Sequence, residues 1–248
     1  MNKESAETLL RVPWGIGTGL LGLLVAYAVA VAGTTGESAL PYFAHKHHYL
    51  LGEAVSYQFL TLGVGIAAVV IVLVWNPQDR VTALGFHLPG RDRVGGAVLG
   101  GVVATFGGIA LVSGLFDTFF PSYHLHGNTQ NVFPHTPHNL PILAVIGLGL
   151  WIAVEAPLTE ELLFRGILYQ GLRHFFHRWL PYQWAVFLGA IGSGAVFGLA
   201  HFEPHTLPVL IFLGIVLAYT FQYGRTLFAS AIVHGIVNFL ALSTLLHG

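Results

Sequence analysis

The stretch APLTEELLFRG, residues 156–166, sets Glu160, Glu161 and Arg165 inside a run that is otherwise apolar. A carboxylate kept from bulk water is suited to taking and returning protons, and imidazole is its usual partner in such work. Two histidines sit in equally apolar surroundings, His201 in FGLAHFEP and His234 in SAIVHGIVNF. Spacing separates the roles. Glu161 and Arg165 lie four apart in the order acid before base, so on a helix they share a face and neutralise each other. Glu160 is turned by about 100° from Glu161 and has no such partner, which leaves it to point into a bundle. Phe197 and His201 fall one helical turn apart, as do His234 and Asn238. Glu155 adds a third acid to the same run, while Glu203 and His205 read as loop residues just past His201.

The elements that position these side chains are membrane helices. Of 248 residues, 54% are hydrophobic and 8% are charged, against about 25% charged in an ordinary soluble domain. A bilayer-crossing helix needs about 20 apolar residues. Uncharged runs give seven spans, near 13–33, 53–75, 95–115, 141–163, 184–202, 207–223 and 226–246, with room for an eighth. The expected fold is all-α, a polytopic transmembrane bundle forming one integral membrane domain over 1–248. No repeat or second domain is visible. The first span has an apolar run longer than the ~7–15 residues of a signal-peptide core, so it is expected to be retained.

Charge orients the bundle. With the N-terminus inside, Lys3, Arg11, Arg80, Arg91, Arg93, Arg173, Arg178 and Arg225 fall in inner segments and Lys46 alone in an outer one, Arg165 lying within a span. That asymmetry is the pattern of cytoplasmic loops. Two outer loops carry His45, His47 and His48, and His124, His126, His135 and His138; they are expected to be solvated, although imidazoles of this density also bind metals. A net charge of −1 argues against nucleic acid as a partner, and the absence of cysteine excludes a thiol nucleophile.

Ionised groups at mid-bilayer cost about 2.5–3.5 kcal/mol each on insertion scales, so Glu160, Glu161 and Arg165 mark either a functional site or one neutral cluster that ties helices together. EELLFR at 160–165, FGLAH at 197–201 and HGIVN at 234–238, in that order, resemble the CAAX protease and bacteriocin-processing family, also called Abi or Rce1-like intramembrane proteases. Its pattern is Glu-Glu-x-x-x-Arg, then Phe-x-x-x-His, then His-x-x-x-Asn or similar, and the likeness covers about 141–243. The resemblance implies proteolysis of a membrane-associated substrate. Glu160 and His201 would activate a water, His234 and Asn238 would stabilise the oxyanion, and Glu161, Arg165 and Phe197 would support them. Such chemistry is within reach of these groups: imidazole and amide N–H donors to a tetrahedral oxyanion are worth about 2.7–4 kcal/mol each.

Zinc is the alternative cofactor, held by Glu160, His201 and His234. The H-E-x-x-H signature is absent and asparagine suits an oxyanion better than zinc, so a metal-free glutamate mechanism is favoured. Two other functions fit a membrane bundle with buried Glu and His: a non-catalytic immunity or partner-binding protein of the same fold, and an ion- or proton-coupled transporter. The expected partners are membrane lipid and a membrane-associated or C-terminally anchored protein or peptide, and the expected location is a bacterial inner membrane. Straight helices would set Glu160 and His201 at different depths, and Pro157 is expected to resolve this by breaking the helix ahead of Glu160 and tilting 158–178.

Overall fold

The computed structural model describes residues 12–38, 49–77, 79–123 and 142–247, and among these it is helical with no strand. The two histidine-rich loops lie outside the described residues. α1 (Ile16–Ser38), α2 (Tyr49–Trp75), the short α3 (Arg80–Ala83) and α4 (Arg91–Phe119) precede a long helix, α5, that runs over 142–177. α6 (Tyr182–Ala200), a 3-10 turn at Pro204–Thr206, α7 (Leu207–Gly224) and α8 (Leu227–His247) complete the chain. Six helices, all but α3 and α5, are long and apolar enough to cross a bilayer. Each of the seven predicted spans overlaps a helix, the fourth of them α5. Leu21, Leu24, Leu73, Val74, Leu99 and Leu111 are exposed on their outer faces, as helices surrounded by lipid require.

The core is wrapped around α5. Its Leu163, Phe164, Leu168 and Leu172 meet Ala26 of α1, Val64 of α2, Phe197 of α6, Leu213 and Leu217 of α7 and Val233 of α8. α6 and α7 approach so closely that a Cβ on Gly214 would lie 2.7 Å from the Gly194 Cα. Small residues at such crossings are how membrane helices gain contact without a hydrophobic drive between them. In the connection ahead of α4, Asp79 caps α3; bonds from the Thr82 hydroxyl and amide, at 2.6 and 3.0 Å, hold its carboxyl below the usual range.

Pro157 does not break the helix, contrary to expectation. α5 continues through it, passing from Ile142–Leu150 through a π-helical turn at Trp151–Glu155 into Ala156–Glu161, a second π-helical stretch at Leu162–Tyr169, and Gln170–His177. The Ala156 amide bonds back to the Trp151 carbonyl, five residues away. This frees the Ile152 carbonyl, and Pro157 has no N–H for that of Ala153. α8 takes up both. The Asn238 side-chain amide donates to Ile152 O at 3.1 Å, and Gly235 packs its backbone on the Ala153 carbonyl, where a Cβ would collide. Carbonyls of the second π stretch are capped similarly: Ser193 donates to Phe164 O, Gln170 to Gly166 O and Trp14 to Ile167 O, at 3.0, 2.8 and 3.2 Å. A π-helical insert survives where its freed backbone groups find such partners.

α5 runs on past 163 to His177, beside the first half of α6. Tyr169 and Arg173 of α5 and Tyr182 of α6 share Gln222 of α7, at 2.8, 3.1 and 2.7 Å. With that clamp setting the register, the last turn of α6 comes level with the middle of α5, and the depth mismatch vanishes. Replacing Gly235 by alanine is expected to cost about 1–3 kcal/mol, the usual penalty of overpacking, read as a lower unfolding temperature in detergent. Gly147→Ala, whose Cβ meets nothing, should be neutral, and a wild-type transition for both would contradict this packing.

Candidate active site

Glu160 and Glu161 leave α5 on different faces and meet different partners. Glu161 is wholly buried. Its Oε1 lies 2.9 Å from Arg165 Nη1 and accepts from His234 Nδ1 at 3.1 Å. Arg165, equally buried, donates through Nη2 to Gly214 O of α7 at 3.0 Å. One acid thus neutralises one base, and the pair joins α5 to α7 and α8. Unpaired, either charge would be severely penalised in this interior.

Phe197 is the packing centre. Its ring lies 4.7 Å beneath the Arg165 guanidinium, 4.6 Å from the His201 ring and 5.6 Å from that of His234, and it meets Phe164 edge-on at 5.2 Å. The guanidinium gains a cation–π contact, and both imidazoles gain a wall that limits their rotation. The Phe-x-x-x-His spacing has this cause: one turn of helix puts the ring directly beneath its own histidine.

Glu160 turns a buried oxygen toward the two imidazoles. Its Oε2 is 3.9 Å from His201 Nε2 and 3.8 Å from His234 Nε2, and no protein group hydrogen-bonds to it among the described residues. Both imidazoles are tethered by their other nitrogen, His201 Nδ1 to Phe197 O at 2.7 Å and His234 Nδ1 to Glu161. A carbonyl and a carboxylate can only accept, so each Nδ1 carries the proton and each Nε2 turns toward Glu160. Side-chain exposure falls from 31% at His201 through 16% at Glu160 to 3% at His234. The approach to the cluster is from the His201 side.

Of the residues expected from the sequence, Glu160, Glu161, Arg165, Phe197, His201 and His234 come together here, with Asn238 one turn farther along α8, bonded to Ile152. Glu155 stands apart, accepting from Gln58 Nε2 at 2.6 Å and Thr61 at 3.4 Å. The neighbour of Glu160 that sequence reasoning missed is Tyr57 of α2. Tyr57 donates from its hydroxyl toward Glu160 Oε1 at 3.1 Å and Ala156 O at 3.2 Å. Tyr57, Gln58 and Thr61 lie with Glu53 and Ser56 in the polar first part of this span, and that polarity was the available signal.

Glu160, His201 and His234 are donors of the kind zinc takes, each imidazole with the outer tether that metal-bound histidines have. Bonds of about 2.1 Å in a tetrahedron put neighbouring donors about 3.4 Å apart, closer than the 3.8 and 3.9 Å found. Among the described residues no three such side chains close to metal-binding geometry. The same gaps are readily bridged by a water with hydrogen bonds of about 2.8 Å.

Fold and site define an all-helical, multi-pass membrane protein in which one carboxylate and two imidazoles converge between helices. Residues 141–240 match the family described as type II CAAX prenyl endopeptidase Rce1-like, so this segment of the chain is similar to that family. Comparison with curated proteins and with solved structures gave no match. The matched segment holds every residue of the cluster but Tyr57. Replacing Asn238 by leucine removes the donor to Ile152 O and is expected to cost about 1–3 kcal/mol, the penalty of an unsatisfied buried carbonyl. An unchanged unfolding temperature would show that bond to be dispensable.

Proposed function

We propose that the chain is an intramembrane endopeptidase that hydrolyses a peptide bond in a membrane-associated or C-terminally anchored protein or peptide. The observation that carries this reading is Glu160 Oε2, which faces two tethered imidazoles while the neighbouring Glu161 is consumed by Arg165 and His234. The Rce1-like match of 141–240 supports it.

In the reaction, a water bridging Glu160 Oε2 and His201 Nε2 gives a proton to Glu160 as its oxygen attacks the scissile carbonyl. His201 Nε2, unprotonated while Nδ1–H is held by Phe197 O, accepts the water's second hydrogen bond and fixes its direction. The oxyanion then needs donors. His234, its ring held by Glu161, is one donor, and the amide N–H of Asn238 not used by Ile152 is the second. Glu160 returns its proton to the leaving amine, the C–N bond breaks, and the site is restored without a covalent intermediate. No step passes through a metal.

The substrate is brought by its membrane attachment rather than by charge, since the cluster's ionised groups are paired or buried. We place the protein in a bacterial inner membrane, with lipid as its standing partner. The test compares purified wild type and Glu160→Ala in lipid vesicles on a farnesylated CAAX peptide and on a single-span anchored peptide, with and without chelator. The wild type is expected to cleave equally with and without chelator, and Glu160→Ala at least about 10²-fold more slowly. Equal cleavage by both proteins would end the catalytic assignment, and loss on chelation alone would make the site a metal site.

A further inference from the structure

The site is not confined to the family-matched domain. Glu160 has two oxygens with different surroundings: Oε2 faces the imidazoles without a protein hydrogen bond, while Oε1 is held at 3.1 Å by the hydroxyl of Tyr57. Tyr57 stands on α2, far outside 141–240. Its ring is fixed from α5 as well, edge-on to Trp151 at 5.7 Å. One helical turn along, the α2–α5 seam is closed by Thr61, which bonds Thr159 at 3.3 Å and Glu155 at 3.4 Å. The hydroxyl therefore sits on a rigid support.

The last torsion of a glutamate is soft and nearly two-fold. A carboxylate with both oxygens free would rotate its plane away from a bridging water. We propose that Tyr57 is a positioning residue for the reaction: by holding Oε1 it fixes the carboxylate plane of Glu160 and presents Oε2 to the water it shares with His201. Tyr57 touches neither water nor substrate. It also makes α2 part of the active site, so the enzyme requires the helices that precede its family domain.

This rests on the reading of Glu160 as the base, and the test keeps the two apart. The first readout is infrared absorption of the intact protein in lipid, with the Glu160 carboxyl band identified by its loss in Glu160→Gln. Tyr57→Phe keeps the ring and removes the hydroxyl, and is expected to shift that band. Thr61→Val, on the same helix but without contact to Glu160, is expected to leave it in place. The second readout is cleavage of the farnesylated CAAX peptide: kcat of Tyr57→Phe falls about tenfold or more, as expected for loss of a hydrogen bond to a charged group, while KM and unfolding temperature stay at wild-type values. An unshifted band, or a fall in kcat matched by Thr61→Val, would overturn the proposal. If Glu160→Ala is inactive and Tyr57→Phe cleaves like the wild type, this inference alone fails; if Glu160→Ala cleaves like the wild type, the catalytic reading fails with it.

Discussion

Two opposite charges without solvent contact, Glu161 and Arg165 at 2.9 Å, constrain everything around them. Bringing such a pair out of water costs several kcal/mol per ion, returned only if each remaining donor and acceptor finds a partner. Those partners dictate the bundle. Glu161 calls for His234 on α8, and Arg165 for the Gly214 carbonyl on α7 and the Phe197 face on α6. Three helices are thereby pinned at one level of α5, and each brings a residue of the cluster or its support. The neighbouring Glu160 is excluded from this neutralisation by its position on the helix.

A central helix with that many obligations has an irregular backbone. α5 carries two π-helical stretches, and the carbonyls they release are occupied by donors from α6, α8, α5 itself and the segment before α1. Proline, asparagine and glycine form one device here: Pro157 removes a donor, Asn238 supplies one to Ile152, and Gly235 has no side chain where the Ala153 carbonyl protrudes. Asn238 thus carries a docking duty that holds whatever its part in the chemistry.

The helices were legible in the sequence because lipid permits few alternatives: an uncharged run of the right length must be a helix with its backbone satisfied internally. The Glu161–Arg165 pair was legible because it depends only on helical spacing. Where reading along the chain failed, the deciding contacts are long-range. Pro157 obeys a local rule that tertiary partners override, since α8 supplies what the broken backbone pattern lacks. The extent of α5 beyond 163 follows from the Tyr169, Arg173, Tyr182 and Gln222 clamp, which no hydropathy window detects. Tyr57 was passed over because it is uncharged and lies on a different helix from every residue of the motifs.

The central claim is that Glu161 and Arg165 act as one buried unit that organises the site, and a double-mutant cycle tests it most directly. Unfolding free energies of the wild type, Glu161→Gln, Arg165→Met and the double variant would be measured in the same membrane mimetic. Each single change is expected to cost about 3–5 kcal/mol by stranding a buried charge, and the double variant far less than their sum. Single losses that simply add, with no coupling between the two positions, would contradict the account.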